Sequence, residues 1–122
     1  MKLVQVGQHA EDLQRARRFY AALLEREAAA VYDPPGLVFF DLDGVRLLLD
    51  RALASSVVYL EVDDVAAAVP RACAAGGVAE TEPHAIFRHE DDTLGPAGTV
   101  EWQAFIKDTE GNLVGLVEQR RG

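Results

Sequence analysis

The chain has 122 residues and a mass of 13.3 kDa, one domain's worth, able to bury roughly two thirds of its unfolded surface. Apolar residues make up 49% and charged residues 26%, which excludes disorder over most of the length, and no apolar run approaches the ~18 residues of a membrane span. Against 12 basic residues stand 20 acidic ones, a net charge of −8, which excludes a nucleic-acid face and leaves room for a neutral or cationic small ligand.

From Met1 to Gln5 the chain reads straight into a strand, without the apolar stretch of a signal peptide, so a cytoplasmic location is expected. Residues 3–9 alternate as a short strand. Asp12 follows as an N-cap, and Leu13, Ala16, Phe19, Tyr20, Leu23 and Leu24 recur at the three- and four-residue spacing of an amphipathic helix. Residues 27–32 suit either more helix or a strand. Asp33-Pro34-Pro35-Gly36 is a turn, and residues 37–42 and 45–49 are two strands joined by Asp43-Gly44, a strong hairpin signal.

After a small-residue link at 51–56, residues 57–62 read as a strand. Asp63-Asp64 caps a second, alanine-rich helix that contains Pro70 and Cys73 and stops at Gly76-Gly77. Cys73, the single cysteine, excludes an internal disulfide and is expected to be buried as a small apolar residue. Residues 78–88 form a strand interrupted by Pro83. A polar loop over 89–99 comes next and is expected to be solvated. Strands at 100–106 and 113–118, joined by a turn at 108–112, close the chain.

Strand, helix and three strands thus occur twice. Gln5 aligns with Val57 and Leu13 with Val65 at one constant offset; Leu48 aligns with Gly115 at a larger one, because the second half carries the 89–99 excursion. The expected architecture is a single α+β domain over 1–122. Two tandem βαβββ modules, 1–52 and 53–122, form a curved eight-stranded mixed sheet with a concave cleft and with helices on the convex side. Open outer strands make a homodimer the expected assembly, with no membrane and no nucleic acid as partner.

Several stretches carry a family resemblance: Asp12-Leu13 with Phe19-Tyr20-Ala21-Ala22-Leu23-Leu24, Gly44 to Leu49, Val62-Asp63-Asp64-Val65, and above all Phe105 to Val114. The last is similar to an aromatic–Asp-Pro-Asp-Gly-Asn–apolar signature, with Thr109 in place of the proline. The chain resembles the vicinal oxygen chelate superfamily of glyoxalases, epimerases, extradiol dioxygenases and bleomycin and fosfomycin resistance proteins. That resemblance implies four metal-ligand positions, one on each of four strands, here Gln5, Leu48, Val57 and Gly115. Only Gln5 carries a donor atom, and one-residue slips find none at the other three that faces the cleft. No metal and no other cofactor is therefore expected.

Parity puts Gly7 and His9 on the face of Gln5, and Tyr59 and Glu61 on the face of Val57. Candidate ligand contacts are Gln5, His9, Tyr59, His84 and Trp102, the last two expected to face one cleft. His84 is the best candidate general base, because an imidazole exchanges its proton near neutral pH, and Glu61 is the other candidate catalytic group. Three readings follow. One is a metal-free binder of a small organic ligand, similar to the bleomycin-resistance branch. The second is a lyase or isomerase using His84 or Glu61. The third is an enzyme with a displaced metal site built from Gln5 with His9 or His84.

Overall fold

The structure is a computed structural model that describes residues 3–122; Met1 and Lys2, read as the run-in to the first strand, lie outside the described residues. The first module comprises β1 (Gln5–His9), α1 (Leu13–Leu24), β2 (Ala30–Tyr32), β3 (Leu37–Leu42) and β4 (Val45–Asp50). The second comprises β5 (Val58–Glu61), α2 (Val65–Ala74), β6 (Val78–Ala79), β7 (His84–Arg88), β8 (Thr99–Lys107) and β9 (Leu113–Arg121). The predicted 78–88 strand is thus two strands. Pro83 has no N–H to offer a ladder, and the pairing with β8 breaks around it.

Two sheets form instead of one. Their orders are β1-β4-β3-β2 and β5-β9-β8-β6, with β7 also pairing β8. The α+β class and the repeated module stand, whereas the continuous eight-stranded sheet becomes nine strands in two mixed sheets. Each module has one parallel pair, β1 with β4 and β5 with β9, and antiparallel pairs elsewhere.

Local chemistry sets the elements. The Asp12 side chain accepts the Arg15 N–H at 3.0 Å and starts α1, while Asp64 accepts the Ala66 N–H at 3.0 Å and starts α2. Asp43 and Gly44 take φ of 56° and 100°, the left-handed pair that a two-residue hairpin turn needs. α2 runs through Pro70, and its Cys73 is exposed, not buried, because Val65, Ala68 and Ala72 form the inward stripe.

One core spans both modules. Phe19, Tyr20 and Leu23 of α1 and Val65, Ala68 and Ala72 of α2 pack on Val38, Phe40, Leu47 and Leu49 of one sheet and on Ala104, Ile106, Val114 and Leu116 of the other. Each fully buried Leu or Phe there contributes about 1.5–3 kcal/mol. Both helices cover the same side, which leaves the opposite face of each sheet open. No helix among the described residues is long and apolar enough to cross a membrane.

The 108–112 turn clamps the modules together. Asp108 accepts the Tyr20 hydroxyl at 2.7 Å, the N–H groups of Glu110 and Asn112 at 2.9 and 2.8 Å, and Asn112 Nδ2 at 2.9 Å. Asn112 Nδ2 also donates to the His9 carbonyl at 2.6 Å. Glu110 accepts the Asp12 N–H and Arg15 Nε, both at 2.8 Å. The signature stretch of the sequence is thus a joint that fixes the first module's helix and strand against the second.

Candidate functional site

Edge strands β1 and β5 do not pair with each other, and between them opens a groove of about 950 Å³. Leu3, Val6, Val57 and Leu60 give it apolar walls and Tyr59 an aromatic ring, while Arg46, Glu61, Asp64 and Arg71 are among its several charged groups. That size and mixed lining lie in the range of small-molecule sites.

Gln5, Gly7 and His9 share the open face of β1, as parity required, since Gln5 pairs with Arg46 and Gly7 with Leu48. Gln5 Oε1 accepts Arg46 Nε at 2.9 Å, so its acceptor is already engaged. His9 is engaged too: Nδ1 lies 3.0 Å from the Leu53 carbonyl and Nε2 lies 3.4 Å from Glu11. Its ring pins the 51–56 link to the end of β1. His9 lies four residue steps along β1 from Gln5, roughly 13 Å, too far for both to reach one ion.

The position equivalent to a fourth metal ligand is covered. Tyr59 pairs with Gly115 across β5 and β9, and a Cβ built on Gly115 would lie 2.6 Å from Tyr59 Cδ1. The ring also meets Phe105 edge-on at 5.7 Å between centroids. Leu48 and Val57 offer only carbon, so these residues do not fit the four-donor ion of the fold's metal-dependent members. Among the described residues no group of three or more His, Cys, Asp or Glu could hold a metal.

His84 and Trp102 do not face one cleft. His84 pairs with Gln103, and Trp102, the next residue along β8, points to the helix-covered face. There it packs against the core with the Arg120 guanidinium 4.0 Å above its ring. His84 itself is exposed on the open face, where Nδ1 lies 2.9 Å from the Glu82 carbonyl. A neutral ring held that way carries its lone pair on Nε2. Glu61 lines the groove instead, on β5, its backbone in the ladder with β9.

Sequence reasoning missed the centre of this face. His89, expected in a solvated loop, is 3% exposed and continues the ladder past β7, its N–H bonded to the Thr99 carbonyl at 2.9 Å. Its Nε2 lies 3.1 Å from Glu101 Oε1, and its ring meets Phe87 at 4.6 Å. Gln119 Nε2 donates to Glu101 Oε1 at 2.9 Å and Gln103 Nε2 to Oε2 at 2.5 Å. Burial would raise the Glu101 carboxyl, but the hydrogen bonds from Gln119, Gln103 and His89 outweigh it and hold the group below the usual carboxylate range. The alternation of Thr99, Glu101 and Gln103 was the available signal; the partner across the hairpin was not.

No protein-family model matches the chain, and no curated protein sequence does. Solved structures do. A glyoxalase/bleomycin resistance protein from Albidiferax ferrireducens T118 superposes with a TM-score of 0.72 at 17% identity, covering 95% of this chain and 98% of that one. A glyoxalase-related enzyme from Fulvimarina pelagi gives 0.70 at 18% identity, over 97% of this chain and 88% of its own. A glyoxalase/bleomycin resistance protein/dioxygenase family enzyme from Burkholderia phytofirmans PsJN gives 0.71 at 16%, over 97% and 98%. The paired modules, their shared core and these superpositions place the chain in the fold of the vicinal oxygen chelate superfamily, that of glyoxalases, bleomycin resistance proteins and dioxygenases.

Proposed function

We propose that the chain is a metal-free binder of a small organic ligand, held in the groove between β1 and β5. The observation that carries this is the Tyr59 ring lying across Gly115, where a metal-dependent relative would place a donor. An aromatic residue, 56% exposed, thereby stands at the mouth of a groove lined by aliphatic and charged side chains alike. Such a ring offers a large contact area with few rotors to freeze on binding. A homodimer belongs to the same reading, because the outer strands end on open edges.

A thermal-shift screen of planar and aliphatic organic compounds tests it. Hits should raise the melting temperature and lose about tenfold in affinity in Tyr59→Ala. A screen with no hit, or hits indifferent to that change, overturns the reading. Light scattering that gives the mass of one chain removes the dimer.

One observation favours a second reading, a lyase or isomerase of the glyoxalase/epimerase type without a metal. The Nδ1 contact of His84 leaves Nε2 free to take a proton from a substrate on the open face. A His84→Ala chain that keeps full turnover of any substrate found would sink it.

A further inference from the structure

The open face of the second module carries a largely buried carboxylate that no Lys or Arg among the described residues neutralises. Glu101 is 8% exposed; its one ion-pair neighbour among the described residues is His89, 3.1 Å away and charged only when protonated, and no Lys or Arg lies within ion-pair distance. Arg120, one residue beyond Gln119, turns to the other face and spends its charge on Glu118 and Trp102. Charged residues are rarely this buried unless paired. Three side chains, His89, Gln119 and Gln103, orient the carboxylate, and together they use two acceptor directions on Oε1 and one on Oε2. One direction on Oε2 stays open.

Directly across the ladder from Glu101 stands Phe87, a residue 38% exposed. Both groups flank one imidazole, the Phe87 ring 4.6 Å from the His89 ring and Glu101 Oε1 3.1 Å from His89 Nε2, so one flat group can touch both the carboxylate and the ring. Gly95 closes the other side of His89; a Cβ there would lie 2.6 Å from Nε2, so only glycine lets the 90–98 hairpin loop settle on the imidazole. Phe87 and this loop therefore hold His89, and His89 helps to hold Glu101. None of these residues lines the groove between β1 and β5.

We propose that Glu101 and Phe87 form a second ligand site, separate from the groove, that takes a flat organic cation such as an amidinium or an aryl ammonium. The cation donates to Oε2, and its flat body lies against the Phe87 ring, where a positive charge is also favoured by the ring's face. The net charge of −8 draws such ligands and repels anions of the same shape. The proposal stands without the groove reading, since it shares no residue with it.

Titration of the isotope-labelled chain with benzamidine, followed by amide NMR, tests it, with benzamide and benzoate as neutral and anionic matches of shape. Benzamidine should shift the signals of Phe87, His89 and Glu101 saturably and bind at least tenfold tighter than benzamide, and benzoate should leave them unmoved. Glu101→Gln, which keeps the oxygen that Gln119 and His89 approach and offers an N–H to Gln103 once the Gln103 amide turns over, should bring the benzamidine-to-benzamide ratio close to one. Phe87→Leu, on an exposed strand, should weaken benzamidine several-fold and serves if the first variant does not fold. Equal binding of benzamide and benzamidine, shifts confined to groove residues, or an unchanged ratio in Glu101→Gln overturns the proposal.

Discussion

Tyr59 and Gly115 are an interlocked pair: the ring of one occupies the space that any side chain on the other would need. A Cβ at 115 would sit 2.6 Å from Cδ1 and 2.9 Å from Cε1 of the ring. Gly115→Ala should therefore push Tyr59 off Phe105 and cost about 1–3 kcal/mol in urea unfolding. In the Tyr59→Ala background the same change should cost much less. A double-mutant cycle with no coupling between the two would show that the ring is free to leave.

Gln8 is fully buried on β1, and neither polar atom of its amide has a hydrogen-bond partner among the described residues. The amide bears on the titration of Tyr20 without reaching bonding geometry to its hydroxyl. An unpaired buried amide costs about 1–3 kcal/mol, and leucine fills a similar volume. Gln8→Leu should raise the urea midpoint without changing the slope. A lower midpoint would mean that an ordered water already satisfies the amide.

Asp108 joins the modules by accepting from Tyr20, Asn112 and two backbone N–H groups. Asp108→Ala leaves a buried hydroxyl and the turn's N–H groups unpaired and should cost about 3–5 kcal/mol, more than a surface carboxylate change. Loss of amide-exchange protection should reach both α1 and β9. Protection lost only within residues 108–112 would make the turn a local device and not a joint.

Acid should weaken the fold through two carboxylates. Burial would raise Glu110, whose side chain is 1% exposed, but the hydrogen bond from Arg15 and the Asp12 N–H outweigh it, and Glu101 is lowered likewise. Both lie below 4.5 in the folded chain, so the unfolded chain binds more protons as pH falls. Their contribution is complete above pH 4.5 and is lost as pH drops through the folded values. The urea midpoint should fall in that window, and less steeply in Arg15→Ala. At the alkaline end, burial first and then Asp108 push the Tyr20 phenol well above 10.0. Its contribution is full below pH 10.0 and is lost as pH rises through the folded value. Absorbance titration should show one tyrosine that ionises only as the chain unfolds.

Much of this was legible in the residues. Asp12, Asp43-Gly44 and Asp64 mark element ends by local chemistry that needs no partner, and the helix stripes follow from spacing alone. The duplication showed which positions correspond, and with it that Leu48, Val57 and Gly115 carry no donor where Gln5 does. Parity along β1 and β5 placed Gln5, Gly7, His9, Tyr59 and Glu61 on their faces correctly, because side chains alternate strictly within one strand.

What parity cannot carry is a face across a strand break. The 78–88 segment splits at Pro83, and β7 shifts register between Ala85 and Phe87, so counting along it does not say which side of β8 each residue meets. Alternation along 78–88 therefore puts Trp102 beside His84 and leaves His89, Phe87 and Glu101 apart, where the structure does the reverse. The sequence determined the elements, their repetition and the missing donors, all of which depend on near neighbours or on aligned positions. Only the tertiary structure decided the two-sheet split, the ring over Gly115 and the site around Glu101, because each arises where side chains distant along the chain compete for the same space.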